Sequence, residues 1–390
     1  VVNRSFFSSK VLNPFSLNLW GKTEDSHIPS YKVAIIGSGN RGKGHARAYA
    51  VHPEAKVVAC MDIKKENAEA LAKEQGLPAS NAYTDHKLML KKEKPDIVSV
   101  CTWPGTHAQM VVDSVEAGAK AIFMEKPMAT TWGDAKKLYQ ACVDGGVMLS
   151  VCHQRRFAPP YVKARELANN GAIGELHRVE GYCHNLYDWG THWFDIFNFY
   201  NNDQPADWVM GQVSYEWEKP FTIFEVPIET NGLSYVRWKN SVCGLMVTGR
   251  NTGGRCANRL IGSKGMIELD VFWDHQVWGP KKEGPILRVL TEDSKGWLTP
   301  ELRYASGDLY PYKNSEQMED ILAVREVVDC LKTGREPIIS GRRALQATEL
   351  IFATYESSRR RARVYLPLDV EDSPFVSMLE SGAVGPKKAS

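Results

Sequence analysis

The chain has 390 residues, 43% hydrophobic and 24% charged, with a formal net charge of +2. That length and composition suit two globular cores, and a charge so near zero, with no basic stripe, argues against a nucleic-acid or anionic-membrane partner and for a small neutral ligand. Eight cysteines without C-x-x-C spacing read as buried, reduced thiols of a cytoplasmic protein, no apolar run is long enough to span a bilayer, and no metal-ligand cluster or internal repeat stands out.

Residues 1–30 carry Arg4, Lys10 and Lys22 with no acid before Glu24. Of three readings, a targeting remnant, a subunit-packing arm and a flexible leader, the arm or leader is favoured, since a secretory signal would need a longer apolar centre. From Tyr31 the pattern changes. The apolar run Val33 to Ile36 leads into Gly37-Ser38-Gly39-Asn40-Arg41-Gly42, and a helix is expected over Lys43 to Ala50. Strand, G-x-G-x-x-G and helix together predict a dinucleotide site, with glycines at a tight turn and amides facing the pyrophosphate. Asp62 ends the second strand, Lys56 to Met61, about 20 residues past the last glycine. A carboxylate there suits the two ribose hydroxyls and repels a 2′-phosphate, which favours NAD over NADP; Lys64 and Lys65 soften that repulsion.

Strand and helix then alternate. Helices are expected over Glu66–Gln75, Asp85–Lys92, His107–Ala117 and Thr131–Asp144, with strands near Asn81–Tyr83 and over Asp96–Cys101, Ile122–Met124 and Val147–Cys152. This predicts a doubly wound, parallel six-stranded Rossmann domain over 31–152. The strand Ile122-Phe123-Met124 stops at Glu125-Lys126-Pro127. Proline restricts the residue before it, so Lys126 is expected to be extended at a strand end, where open α/β sheets bind ligands.

Downstream, Asp188 and His192 are spaced so that a helix beginning at Asp188 would put both on one face, with His192 kept neutral near the helix's positive end. Aromatic and hydrogen-bonding side chains surround them, Tyr187 and Trp189 included, and these together with Arg155 or Arg156 suit the face and hydroxyls of a sugar ring. Strand patterns follow at Trp208–Glu216, Leu233–Trp238, Val242–Gly249 and Arg259–Ile261, with turns at Lys239-Asn240 and Gly262 to Gly265. They imply a large open, mostly antiparallel sheet in an α+β domain over 153–368, whose exposed face is the expected homodimer or homotetramer contact. Residues Lys281 to Gly307 read as irregular, Gln317–Leu331 and Leu345–Arg359 as helices, Ala362–Leu366 as a strand, and 369–390 as a flexible tail.

The glycine loop, Asp62, Thr102 to His107 and Glu125-Lys126-Pro127, in that order, resemble the Gfo/Idh/MocA family, the glucose-fructose oxidoreductase and inositol dehydrogenase group. His153-Gln154-Arg155-Arg156-Phe157 with Pro160, and Lys332 to Pro337, extend the likeness from Tyr31 to about Leu368. The family commonly has Thr-Pro-Asn where this chain has Thr102-Trp103-Pro104. The resemblance implies NAD contacts from the glycine loop, Asp62, Thr102, Trp103, Pro104, His107, Glu125, Lys126 and Gln154, and substrate contacts from His153, Arg155, Arg156, Tyr187 and Trp189. It also implies catalysis by Lys126, Asp188 and His192: hydride transfer at a hydroxyl carbon of a sugar, cyclitol or derivative, with His192 taking the proton, Lys126 stabilising the alkoxide and Asp188 orienting the histidine or binding a hydroxyl. Two alternatives are a redox-neutral NAD-dependent glycosidase or related enzyme acting through transient oxidation, and a non-catalytic dinucleotide sensor.

Overall fold

A computed structural model describes residues 31–217, 221–252, 257–270, 285–310 and 315–385. The expectations for residues 1–30 and for 386–390 lie outside the described residues. In β1 (Tyr31–Ile36), Val33 and Ile35 face one side and Ala34 and Ile36 the other, all fully buried, as a parallel strand covered on both faces requires. After it come α1 (Asn40–Ala50), β2 (Ala55–Met61), α2 (Lys65–Glu74), β3 (Ala82–Tyr83), α3 (His86–Glu93), β4 (Ile97–Val100), α4 (Pro104–Glu116), β5 (Ala121–Met124), α5 (Trp132–Asp144) and β6 (Met148–Val151). Strand order is β3-β2-β1-β4-β5-β6, all parallel. The winding reverses between β1 and β4, so a ligand crevice opens at the carboxyl ends of these strands.

The second half holds α6 (Pro159–Asn169), β7 (Leu176–Cys183), α7 (Gly190–Tyr200), β8 (Ala206–Ser214), β9 (Thr222–Ile223), β10 (Val226–Pro227), β11 (Asn231–Trp238), β12 (Cys243–Gly249), β13 (Ala257–Gly262), β14 (Gly265–Asp270), β15 (Leu287–Thr291), α8 (Ser315–Thr333), α9 (Gly341–Arg360), β16 (Val364–Tyr365) and α10 (Pro374–Glu380). Eight of the strands form one sheet in the order β15-β14-β13-β7-β12-β11-β8-β16, antiparallel except where β7 meets β12. Helix α7 lies on its inner face. A side chain at Gly181 of β7 would come within 2.6 Å of Trp193 and 2.7 Å of Phe197, so the missing Cβ is what lets this aromatic helix seat closely.

Several sequence expectations need correction. Strand β7 was not foreseen because charged residues break its apolar pattern; Arg178 and Glu180 are paired at 2.8 Å, and Glu180, Arg259, Glu268 and Arg288 continue a cross-strand ion-pair ladder on the outer face. Within the supposedly irregular segment 281–307, Leu287–Thr291 is strand β15, and 281–284 lie outside the described residues. The supposed tail folds back as α10, with Phe375 1% exposed and stacked on Tyr355. The boundary between the halves is also less clean than expected. Ala323, Val324, Val327 and Val328 of α8 share a core with Val33, Ile35, Ala46 and Tyr49, because the Val33 and Ile35 face of β1 needs a cover that α1 alone does not supply.

Candidate active site

At the first turn of the parallel sheet, the three glycines face different demands. Gly37 has φ +92°, and a Cβ there would lie 2.7 Å from the Cys101 carbonyl; one at Gly42 would lie 2.0 Å from the Gly37 oxygen. The first makes the turn and the second lets α1 pack on β1, whereas Gly39 is exposed and a Cβ there would meet no atom of the described residues within 4 Å. Gly39 is also the N-cap of α1 and supplies no side-chain cap, so the first amides of the helix remain available to an anion. Asp62 accepts from the Ser38 amide at 2.9 Å and the Lys64 amide at 2.9 Å, which fixes its carboxylate beside the loop with acceptor capacity to spare. Open space, free helix amides and a neighbouring carboxylate fit a dinucleotide.

The carboxyl ends of β4 and β5 continue this edge. Helix α4 begins at Pro104, with exposed Trp103 as its N-cap; proline at the first helical position moves the start three residues ahead of the expected His107. After β5, the Lys126–Pro127 bond is cis. The Lys126 Nζ lies 2.5 Å from Asp188 Oδ1 and 3.4 Å from the Asp188 carbonyl oxygen. Asp188 sits in a loop held by Asn185, whose side-chain oxygen accepts the Asp188 amide at 2.6 Å, and by buried Glu229, which accepts the Leu186 amide at 2.5 Å, the Thr248 hydroxyl and the Tyr355 hydroxyl. Burial pushes the Glu229 carboxyl above its ordinary pKa despite these donors. Asn185 and Glu229 are supports of this loop that sequence reasoning missed, because neither belongs to a local motif.

Every residue of α7 is buried, so its polar groups need partners. Thr191 meets His153 Nε2 at 3.0 Å, Asp195 meets Arg156 at 2.8 Å, and Asn198 accepts from Trp238 at 3.1 Å. The His192 Nδ1 is buried with no hydrogen-bond partner among the described residues, as are Asp195 Oδ1 and Asn198 Nδ2 of the same helix. Burial first, and then the charge of Lys126, hold its pKa well below 6.5, with His153, Arg155 and Arg41 adding to the effect. The imidazole is therefore neutral at pH 7 and lies within the electrostatic reach of Lys126. The ring of His153 stands edge-on to it at 5.7 Å.

Other anticipated contacts are engaged elsewhere. Asp188 lies outside α7, whose N-cap is Trp189, so its carboxylate pairs with the lysine instead of orienting His192 from the same helix face. The Arg41 guanidinium pairs with Glu125 at 2.7 Å and Asp320 at 2.8 Å, which ties α1 to α8. Burial opposes ionisation of Glu125, but Arg41 and His45 overcome it and hold its carboxyl far below the usual range. Donor atoms of His45, Glu125 and Cys152 lie within 4.8 Å of one another, yet Arg41 also reaches Glu125 and Cys152, so a positive charge already occupies that grouping. His107 is fully buried, with Nδ1 3.0 Å from the Pro127 oxygen and Nε2 3.0 Å from the Thr102 oxygen; it joins two loops of the edge and is not a cofactor contact. Arg156, expected to bind substrate, is 1% exposed and is held between Asp195 and Asp203. Tyr187, also expected there, is 3% exposed and donates to the Ala129 oxygen at 3.1 Å.

Gln154 and Arg155 lie buried in the turn after β6, with Arg155 Nη1 3.9 Å from Glu319 of α8, and Trp189 packs edge-on against His184 and Trp193. A cavity lined by Lys87, Asp96, Asp113 and Lys120 opens at the amino ends of β4 and β5, the sheet edge opposite Lys126.

Residues 31–153 match the model of the Gfo/Idh/MocA oxidoreductase family, described as an NAD-binding Rossmann fold. Over 380 residues the chain is 27% identical to D-apiose dehydrogenase of Paraburkholderia graminis, covering 92% of this chain and 95% of that protein. It is 23% identical over 363 residues to myo-inositol 2-dehydrogenase of Thermotoga maritima, covering 86% and 98% respectively. Among solved structures, levoglucosan dehydrogenase in complex with NADH and levoglucosan aligns with a TM-score of 0.73 at 20% identity, over 87% of this chain and 100% of that one. With the strand order, the glycine cradle and the match to the family model in agreement, residues 31–153 are an NAD-binding Rossmann fold of the Gfo/Idh/MocA oxidoreductase family.

Proposed function

We propose that the protein is an NAD-dependent dehydrogenase acting on one hydroxyl-bearing carbon of a sugar, cyclitol or sugar derivative, with Lys126 and His192 acting on the reacting oxygen. The observation that carries this reading is the pairing of an ammonium fixed at the end of β5 with a neutral imidazole in its field, whose Nδ1 has no hydrogen-bond partner among the described residues. The named substrates of the relatives, D-apiose and myo-inositol, support the polyol class.

The glycine loop, the α1 amides and Asp62 would hold NAD, which when bound supplies the hydride acceptor. His192 takes the hydroxyl proton as the C–H bond breaks, since a neutral imidazole is the competent base. Lys126 donates to the same oxygen and offsets the negative charge that develops there. Asp188 keeps that ammonium in place, and its own position comes from Asn185 and Glu229.

The direct test is to mix purified protein with NAD and a panel of cyclitols, aldoses and anhydrosugars while following nicotinamide absorbance. Polyol-dependent NADH formation is the expected result. A product formed without net nicotinamide change would move the reading to transient oxidation and elimination, and a panel with neither turnover nor binding would leave only a dinucleotide sensor.

For assembly, we propose that copies meet through the outer face of the eight-stranded sheet. Met210, Leu233 and Tyr365 there are 52%, 47% and 62% exposed, apolar area of the kind that interfaces cover. Sedimentation equilibrium should give a dimer or tetramer, and Leu233→Asp should shift it toward monomer; an unchanged mass would place the contact elsewhere. No helix among the described residues is long and apolar enough to cross a membrane.

A further inference from the structure

We infer that Phe224 forms the apolar wall of the substrate cleft facing Lys126, so that it selects ligands presenting a bare C–H ring face; this rests on the reading of Lys126 as the group that meets the reacting oxygen. Among the described residues, strands β9 and β10 pair only with each other, Val226 opposite Ile223 and Pro227 opposite Thr222. Phe224 and Glu225 are thus the two residues of a tight turn, and their φ values are 50° and 65°. Such turns favour Asn-Gly, because a Cβ is poorly tolerated at positive φ. A bulky aromatic in that conformation persists where the surroundings hold it and its position matters.

The surroundings do hold it. Val226 and Ile228 are buried against Tyr187, with Ile223 alongside. Tyr187 in turn precedes Asp188, which fixes Lys126, and donates to Ala129 just beyond Lys126. The hairpin, the Asp188 loop and the Lys126 loop are therefore one packed unit. At its tip the Phe224 ring faces the Lys126 Nζ, 6.0 Å from the ring centroid, and is 36% exposed. The ring and the ammonium border the same space, one apolar and one a donor. A cyclic polyol satisfies both by laying C–H groups on the ring and turning a hydroxyl toward the lysine. A substituent projecting from that face would collide with Phe224.

The test is calorimetric titration of NADH-loaded protein with myo-inositol, D-apiose and levoglucosan. Phe224→Ala should weaken the best-bound of these about tenfold, about 1.4 kcal/mol, with NADH affinity unchanged as the sign of an intact fold, and Phe224→Tyr should bind within about threefold of wild type. Equal sugar affinity in wild type and Phe224→Ala overturns the inference while leaving the dehydrogenase reading in place. Wild-type protein that binds NADH but neither these three nor any other cyclitol, aldose or anhydrosugar of the panel overturns both. If Phe224→Ala also loses NADH, Phe224→Leu decides: weaker sugar binding at normal NADH affinity supports the wall, and unchanged sugar binding removes it.

Discussion

Replacing Lys126 with methionine is expected to lower kcat by about three orders of magnitude, within the range for removing a positioned proton-transfer or oxyanion group, while NADH affinity stays within about threefold. Methionine keeps the length of the side chain and removes the donor proposed to meet the alkoxide. The variant also tests the electrostatic link to His192. In the proposed role of base, His192 works only when neutral. Its pKa is held well below 6.5 by burial and then by Lys126, so the wild-type oxidation rate should be level around neutral pH and fall only as acid protonates the imidazole below that value. Without the lysine charge, the folded-state pKa rises, protonation begins at higher pH, and the acid limb of the residual activity moves upward. Rates of Lys126→Met and wild type across pH, with NADH titrated at each point, measure both effects. An acid limb that stays put, or moves down, would show that the two groups do not share one oxygen.

Arg156→Met is expected to destabilise the protein by about 3–5 kcal/mol, the range for breaking a buried ion pair by removing one partner. The guanidinium donates to Asp195 at 2.8 Å and to Asp203 at 2.8 Å and lies 5.1 Å from the Phe199 ring centroid. Asp195 is 1% exposed and three residues beyond His192 on α7, so losing its cation strands a carboxylate inside the helix that positions His192. Arg343 also reaches Asp203 at 2.8 Å, which leaves Asp195 as the principal orphan. Urea unfolding should show a lower midpoint at similar slope. Arg156→Lys should recover only part of the loss, since an ammonium cannot reproduce the guanidinium's fixed fork of donors. A substrate-binding arginine would behave differently, raising KM at unchanged stability, and that outcome would return Arg156 to the cleft.

These two residues mark where sequence reading works and where it stops. Lys126 was legible because its neighbours constrain it locally: an apolar strand before it and a proline after it permit few backbone paths. The glycine loop was legible for the same reason, since turn, approach and helix packing are demands made within six residues. Arg156 was not, because an arginine in His153-Gln154-Arg155-Arg156-Phe157 suits a ligand as well as it suits Asp195 and Asp203, 39 and 47 residues away. Asp188 and His192 lay four apart as on a helix, but α7 begins only at Gly190, and the partner of Asp188 comes from the other half of the chain.

Local chemistry in the sequence by itself thus determined the doubly wound sheet, the dinucleotide turn, the carboxylate at Asp62 and the lysine at a strand end. Tertiary structure alone decided that α8 returns to cover the first sheet, that Asp188 serves the lysine, that His192 Nδ1 has no hydrogen-bond partner among the described residues, and that a hairpin tip from beyond β8 faces the same ammonium. The physical reason is range. Backbone propensity and strand period act over a few residues, whereas the pairing of a buried charge or the covering of an apolar face depends on whichever distant segment the packed chain brings to it.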